Sequence, residues 1–403
     1  MAKLEVKKVG PLVDLKLTLN RFDVFIGKQS SGKSTLAKII SHCLWMEKEV
    51  ATHPYNDIID YEIAFRENLE EFHNMKGYFN KDSYIKYESD VVTISLEGTN
   101  CSIKKKKNKY HRNKILYIPA ERNIVVYSDS IGGANNLKSF STDWQIARDV
   151  FGEDNKQDIL NLDINYYYEN ENGKKVNRID SHEDGKTYAI NLNQGSSGLQ
   201  SVIPITVTMD FFTDVFYDPK VAENLRKSNE KYDTKKLLDY LIQQRSGEVT
   251  GKMILDVLDS ISGITSTRQT CFVIEEPEIN IFPETQEALL NYIVSCCNRR
   301  EKRHSVTLTT HSPYILAAIN NLLLAGKLVQ FENLTEQVEM ITGGVYIDPH
   351  DLSVYAIENG RLQSLKDPDT GLISENYLDS VSDVIAGRFN ELYKLYIGEL
   401  RRQ

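Results

Sequence analysis

Cysteine is scarce, and none of it has a metal-binding or redox spacing. Cys43, Cys101, Cys271, Cys296 and Cys297 are scattered through 403 residues with no C-x-x-C pair. This argues against a zinc ribbon or a dithiol centre, and an odd set in apolar contexts reads as reduced core thiols. Nor is there a run of the ~18 apolar residues needed to span a bilayer. The opening MAKLEVKKVGPL lacks the apolar core of a secretory signal, so a cytoplasmic location without a membrane partner is expected. Excess positive charge is missing too: the net charge of −9 argues against a globally basic nucleic-acid binder, though not against a local basic patch. What remains, 41% hydrophobic and 26% charged, is a globular composition long enough for two or three lobes.

Hydrophobic periodicity gives the organisation. Leu4, Val6, Leu15, Leu17 and Leu19 alternate in strand fashion around a Gly10-Pro11 turn, and FDVFIG (22–27) is a short buried strand. From Lys33 the period changes, with Leu36, Ile39, Ile40, Cys43 and Leu44 on one helical face. VVTISLE (91–97) and KILYIPAERN (114–123) read as further strands, and INYYYENENGKKVNRI as a hairpin turning at Asn172-Gly173. A helix is expected from Ser201 to Phe212, kinked or losing regular bonding early at Pro204. CFVIEEPE (271–278) and VTLTT (306–310) are buried strands, each followed by a helix. The stretch 213–268 is charged and helical in flavour, and a closing helix is expected near Ser380–Leu400.

Four segments carry chemistry. GKQSSGKS (Gly27, Lys28, Gln29, Ser30, Ser31, Gly32, Lys33, Ser34) lies between a strand and a helix. There glycines let backbone N–H groups turn inward around phosphate oxygens, and the helix adds its positive end. Lys33 is expected to reach the β- and γ-phosphates of ATP, Ser34 to offer a hydroxyl to Mg²⁺, and Thr35 to reach the α-phosphate. VIEEPE delivers carboxylates to a strand end, with Glu275 expected to hold the metal through water and Glu276 to polarise the attacking water. In GSSGLQ, residues Ser196, Ser197, Gly198 and Gln200 open a helix and form a second anion site. Because the chain already has one phosphate loop, this second site fits the γ-phosphate held by another subunit. His311, at the end of VTLTT, stands where a γ-phosphate-sensing residue belongs.

In this order, the P-loop, SSG-x-Q, EEPE and T-H-S-P resemble the ABC ATPases of the RecF/SMC type. More closely, they resemble the OLD-like ATPases of bacterial antiviral defence, such as those of the PARIS and Septu systems. The resemblance implies an α/β ABC-ATPase head: a mixed central sheet flanked by helices, an antiparallel β lobe and a helical signature lobe. The chain then divides into 1–128 (core with P-loop and β lobe), 129–269 (signature and helical lobe), 270–325 (Walker B and switch histidine) and 326–403 (a C-terminal α/β extension). The resemblance also implies ATP and Mg²⁺ sandwiched between two heads, in a head-to-tail dimer or a higher even oligomer. Two features depart from the pattern. Glu275 stands where many relatives have Asp, and the usual Q-loop glutamine is replaced by PAERN, where Glu121 or Arg122 would couple the site to the other lobe.

Two further features bear on function. KKKKNKYHRNK (104–114) holds seven Lys/Arg in eleven residues. It reads either as a contact for DNA or an acidic phage protein, or as a solvated hairpin tip. After His311 the only D-x-D is Asp367-Pro368-Asp369, in a Pro/Gly turn rather than at a strand end, so no nuclease centre is expected. The expected role is an ATPase sensor or scaffold that controls a separate effector such as a nuclease. A DNA-repair or chromosome ATPase that clamps DNA is the alternative, and a transporter subunit is the weakest fit.

Overall fold

A computed structural model of the chain describes residues 2–53, 56–106, 110–129, 135–171, 174–181, 188–221, 266–373 and 387–394. The Asn172-Gly173 turn, positions 107–109 of the lysine run, residues 222–265 and most of the expected closing helix lie outside the described residues. Within that last segment, 387–394 is helical.

The fold is α/β. Its central sheet has the order β15-β14-β3-β13-β12-β7, from β3 (Phe22–Ile26), β7 (Asn113–Ile118), β12 (Gln269–Glu275), β13 (Ser305–Thr310), β14 (Leu352–Glu358) and β15 (Arg361–Ser364). All neighbours pair in parallel except β14 with β15, which makes the sheet mixed. β3 is buried throughout, and β12 and β13 almost so, as parallel strands covered on both faces must be. Register sets the site: Ile26 pairs with Thr310, and Glu275 with Thr309. Gly27, Glu276 and His311 therefore leave the carboxyl edge of the sheet side by side, where ligands bind in such sheets.

Helix α1 (Lys33–Thr52) follows β3 and packs Leu36, Ile39, Ile40, Cys43, Met46 and Val50 into one core with the N-terminal strands. Burying each large apolar side chain contributes roughly 1.5–3 kcal/mol. Those strands form an antiparallel sheet, β2-β1-β4-β5-β6, from β1 (Lys3–Val9), β2 (Leu12–Thr18), β4 (Tyr84–Glu88), β5 (Val92–Glu97) and β6 (Asn100–Lys105). Helix α2 (Ile58–Glu71) covers part of it. A third, four-stranded antiparallel sheet, β11-β10-β9-β8, comprises β8 (Gln157–Asp158), β9 (Ile164–Glu171), β10 (Lys174–Ser181) and β11 (Tyr188–Asn191). Here Lys174 pairs with Glu171 across the expected hairpin, and Tyr166 packs on Trp144 of α3 (Asn135–Arg148).

Helix α4 (Ser197–Thr213) departs from expectation. It runs on through Pro204 to Thr213, with Ser201–Met209 and Phe211–Thr213 buried. A mid-helix proline costs about 3 kcal/mol. Burial of Val202, Ile203, Ile205, Val207 and Met209, each worth roughly 1.5–3 kcal/mol, outweighs it. Thr206, Thr208 and Thr213 donate their hydroxyls to carbonyls three or four residues back, so the polar groups are satisfied inside the core. Helices α5 (Pro283–Cys297) and α6 (Pro313–Leu328) follow β12 and β13, and α7 (Thr335–Thr342) packs on α6. Cys43, Cys271, Cys296 and Cys297 are buried free thiols and Cys101 is half-buried.

Candidate active site

The 27–32 loop enters α1 through Gly32, whose φ of +107° favours glycine and whose Cβ would lie 2.5 Å from Leu12 Cδ2. Lys28, Gln29 and Ser30 are exposed, while Gly27, Gly32, Lys33 and Thr35 are buried. The Lys33 ammonium curls back over the loop and donates to the carbonyls of Gly27 (2.9 Å) and Lys28 (2.9 Å). Burial lowers its pKa, and the nearby Glu276, Glu278 and Glu275 carboxylates pull it back up. Ser31 Oγ is buried with no hydrogen-bond partner among the described residues. A cationic loop with inward backbone and an orphaned hydroxyl fits the phosphates of a nucleotide.

Three carboxylates and a histidine complete the arrangement. Glu275 ends β12 and is 5% exposed; its Oε1 accepts the Tyr117 hydroxyl from β7, and Ser34 bonds its side chain. Burial raises the Glu275 pKa, with the Ser34 bond pulling the other way. A paired hydroxyl and carboxylate, oxygen donors both, suit Mg²⁺. Glu276 leaves the strand at φ +43°, a left-handed conformation uncommon for a residue with a side chain. Its Oε1 lies 2.7 Å from His311 Nε2, and His311 Nδ1 lies 3.2 Å from Lys33 Nζ and 3.0 Å from Gly27 O. A carboxylate can only accept, so His311 Nε2–H donates to Glu276, while Nδ1 lies within reach of both the Lys33 ammonium and the Gly27 carbonyl. The result is a row of close polar contacts, Lys33–His311–Glu276, joining the start of α1 to the ends of β13 and β12.

Glu278 seats the histidine. Its Oε1 accepts from the Thr310 hydroxyl (2.8 Å) and the His311 backbone N–H (2.6 Å). Sequence reasoning missed this, and missed Tyr117 altogether. The one available signal was a polar-tipped residue in the apolar strand KILYI, whose pairing beside Val273 no single sequence reveals.

The residues of the second anion site sit elsewhere. Ser196 caps α4, accepting from Leu199 N at 3.3 Å, and Ser197 is exposed beside it. Gln200 is buried, donates to Asn193 O and Gly195 O, and accepts from the Tyr127 hydroxyl at 2.7 Å. Among the described residues, none of their hydrogen bonds reaches the 27–35 loop. They meet instead the turn after Glu276: a Cβ on Gly198 would lie 3.0 Å from Asn280 O. Arg122 of PAERN is fully buried between that turn and α4. Glu121, the other candidate there, caps the short 3₁₀ turn 122–126 through its backbone carbonyl, which accepts from Ile124 N.

In the described part of the lysine run some side chains are tied to the protein, while Lys104, Lys105 and His111 are exposed. Lys106 donates to Glu88 (3.2 Å) and Ser89 O (2.6 Å), and Lys105 to Val50 O (3.4 Å). Arg112 is buried, and Lys114 pairs with Asp143 at 2.7 Å. Lys114→Ser is expected to cost on the order of 1 kcal/mol by leaving the mostly buried Asp143 carboxylate unpaired. A thermal melt beside wild type checks it; an unchanged midpoint would remove the pair from the fold's support.

No protein-family model matches the chain, and no curated protein matches it. Among solved structures it is similar to the SMC head domain from Thermotoga maritima (10% identity over 90% of this chain and 97% of that one, TM-score 0.36). It is also similar to the recombination mediator protein RecF (11%, 90% and 97%, 0.32) and to an ATP-binding cassette of an ABC transporter in its ADP conformation (12%, 96% and 99%, 0.31). Identities and scores this low leave the reading of the site to its own geometry. Among the described residues no helix is long and apolar enough to cross a membrane.

Proposed function

We propose that the chain is an ABC-type ATPase that binds Mg-ATP on the 27–35 loop and hydrolyses it to ADP and phosphate. The observation that carries this reading is the row of close polar contacts from Lys33 at the start of α1 through His311 to Glu276 at two adjacent strand ends. Lys33 exchanges the loop carbonyls for β- and γ-phosphate oxygens, and backbone N–H groups of the loop and of α1 surround the rest. Glu276 accepts a proton from the attacking water. His311 orients that carboxylate through Nε2 and reports on Lys33 through Nδ1, so a change at the phosphate reaches the base through one side chain. Ser34 and Glu275 would hold Mg²⁺, which when bound neutralises charge on the phosphate oxygens.

Ser197 and Gly198 serve the γ-phosphate held by a second copy, which makes the working unit a pair of heads. At the finer level we propose a sensor or scaffold ATPase of an antiviral complex that controls a separate effector such as a nuclease, triggered by DNA or a phage protein. The EEPE form supports this reading, the absence of long heptad runs in the sequence counts against an SMC-like clamp, and a RecF-like DNA-repair ATPase is the alternative. Lys33→Ala tests the core of the reading. Titrated with a fluorescent ATP analogue and Mg²⁺, it should bind at least roughly tenfold more weakly than wild type, having lost a charge-assisted contact. Equal affinity would place the nucleotide elsewhere.

A further inference from the structure

Arg122 is 0% exposed, yet no side-chain carboxylate pairs with it among its described hydrogen bonds. Its guanidinium donates only to backbone carbonyls: Nε to Ser201 O (2.9 Å), Nη1 to Glu275 O (2.9 Å) and Pro119 O (3.5 Å), Nη2 to Glu276 O (3.1 Å) and Pro277 O (3.2 Å). Burial lowers its pKa to about 10, against the opposing pull of Glu278, Glu276 and Glu121. A buried cation held only by dipoles is a costly way to fill space, and an apolar side chain would fill it with less penalty. What the fork provides is a rigid link between two pieces of backbone.

Those two pieces are chemically distinct. One is the Glu276 turn, where a non-glycine residue sits at φ +43°. Such a conformation costs about 1–3 kcal/mol and lasts only where its surroundings over-determine it. Here Glu276 N donates to Thr309 O (2.9 Å) while Arg122 holds Glu276 O, so both faces of the residue are pinned. The other piece is α4 at Ser201, one turn in from the exposed N-cap Ser196 and the exposed Ser197 that begin the helix. A second strap runs parallel: Asn280 Nδ2 donates to Ser201 Oγ (3.3 Å), and the Gly198 backbone abuts Asn280 O. Shifting the start of α4 therefore drags the Glu276 turn with it.

We infer that Arg122 is a positioning residue that makes the aim of the Glu276 carboxylate in one nucleotide site depend on what engages the start of α4 in the same chain. This rests on the shared-site reading above, in which a second copy's γ-phosphate is what engages α4. Each head's base is then set by the state of the other site, and the two sites fire in a coordinated manner.

Arg122→Lys is the informative variant, because it keeps a buried cation but one ammonium cannot fork between α4 and the turn. Its thermal midpoint, ATP affinity, turnover and the dependence of rate on ATP concentration are compared with wild type. Affinity should stay close to wild type while kcat falls about tenfold or more, the size of the released strain, and the sigmoidal ATP dependence that the shared-site reading expects of wild type should flatten. Asn280→Gly, which removes the second strap at a position of φ +63° that glycine accepts, should flatten the curve with a smaller loss of kcat. If Arg122→Lys fails to fold, Asn280→Gly carries the test. Wild-type sigmoidicity and kcat in a folded Arg122→Lys, or in Asn280→Gly where that variant stands alone, would overturn the inference. A wild type whose rate is hyperbolic in ATP would instead remove the shared-site reading beneath it.

Discussion

Glu276→Gln is expected to bind Mg-ATP within about threefold of wild type and to turn it over some two to three orders of magnitude more slowly. The substitution is nearly isosteric, and an amide Oε1 can still accept from His311 Nε2 at the observed 2.7 Å. Phosphate contacts from Lys33 and the loop are untouched. What disappears is a group able to accept a proton from water, so binding and chemistry separate cleanly. Nucleotide titration and phosphate release on the same preparation check this. Turnover near wild type would move the base elsewhere. Glu278 is the next carboxylate in line: Thr310 and His311 occupy its Oε1, while its buried Oε2 has no hydrogen-bond partner among the described residues.

Mixing two inactive variants tests the pairing of heads. Ser197→Arg places bulk and positive charge on the exposed start of α4, leaving that chain's own phosphate loop intact. It should bind ATP and not hydrolyse it. Lys33→Ala keeps a sound α4 but cannot hold the phosphates. In an equal mixture half of the pairs are mixed, and in each of these one of the two sites joins an intact loop to an intact α4. Activity should return to about a quarter of wild type if a single site can fire. Sizing in the presence of ATP shows whether the mixed pairs close. Closed mixed pairs without turnover would mean that both sites must be sound, as coordination through Arg122 would produce. Wild-type hydrolysis by Ser197→Arg alone, as a monomer, would sink the shared site.

How far the sequence carried the reading differs from element to element, for physical reasons. β3, β12 and β13 were legible because a parallel strand covered on both faces must be apolar along its whole length. The 27–35 loop was legible because only glycine tolerates the Gly32 backbone, and that requirement is written in the residue type. The meeting of Glu276 and His311 depends on register, which their strand-end positions implied, and Lys33 joins them from the first turn of α1. Arg122 was named only as one of two coupling candidates, and its partners were hidden, since bonds to backbone carbonyls leave no partner residue to recognise. In the lysine run charge density is local and was legible, whereas the pairing of Lys106 with Glu88 and of Lys114 with Asp143 is tertiary and was not. Pro204 was read by local rules, which the burial of its neighbours overrode.

The order of the central sheet also bears on how the molecule comes into being. The phosphate-loop strand, β3, precedes both of its sheet neighbours in the chain. Its two flanking strands, β13 and β14, lie some 280 and 330 residues further along the chain, and Ile357 O of β14 is close enough to Gly27 that a Cβ there would lie 2.7 Å away. During synthesis the antiparallel sheet β2-β1-β4-β5-β6, whose pairings are comparatively local, can collapse on α1 early, while the proposed nucleotide pocket stays unframed until the strand at 352–358 has left the ribosome. A nascent or truncated chain would thus carry the lysine and glycines of the loop without the walls that give them affinity. The competence to bind nucleotide would then depend on the strand at 352–358, and only copies that carry it could enter a nucleotide-dependent assembly.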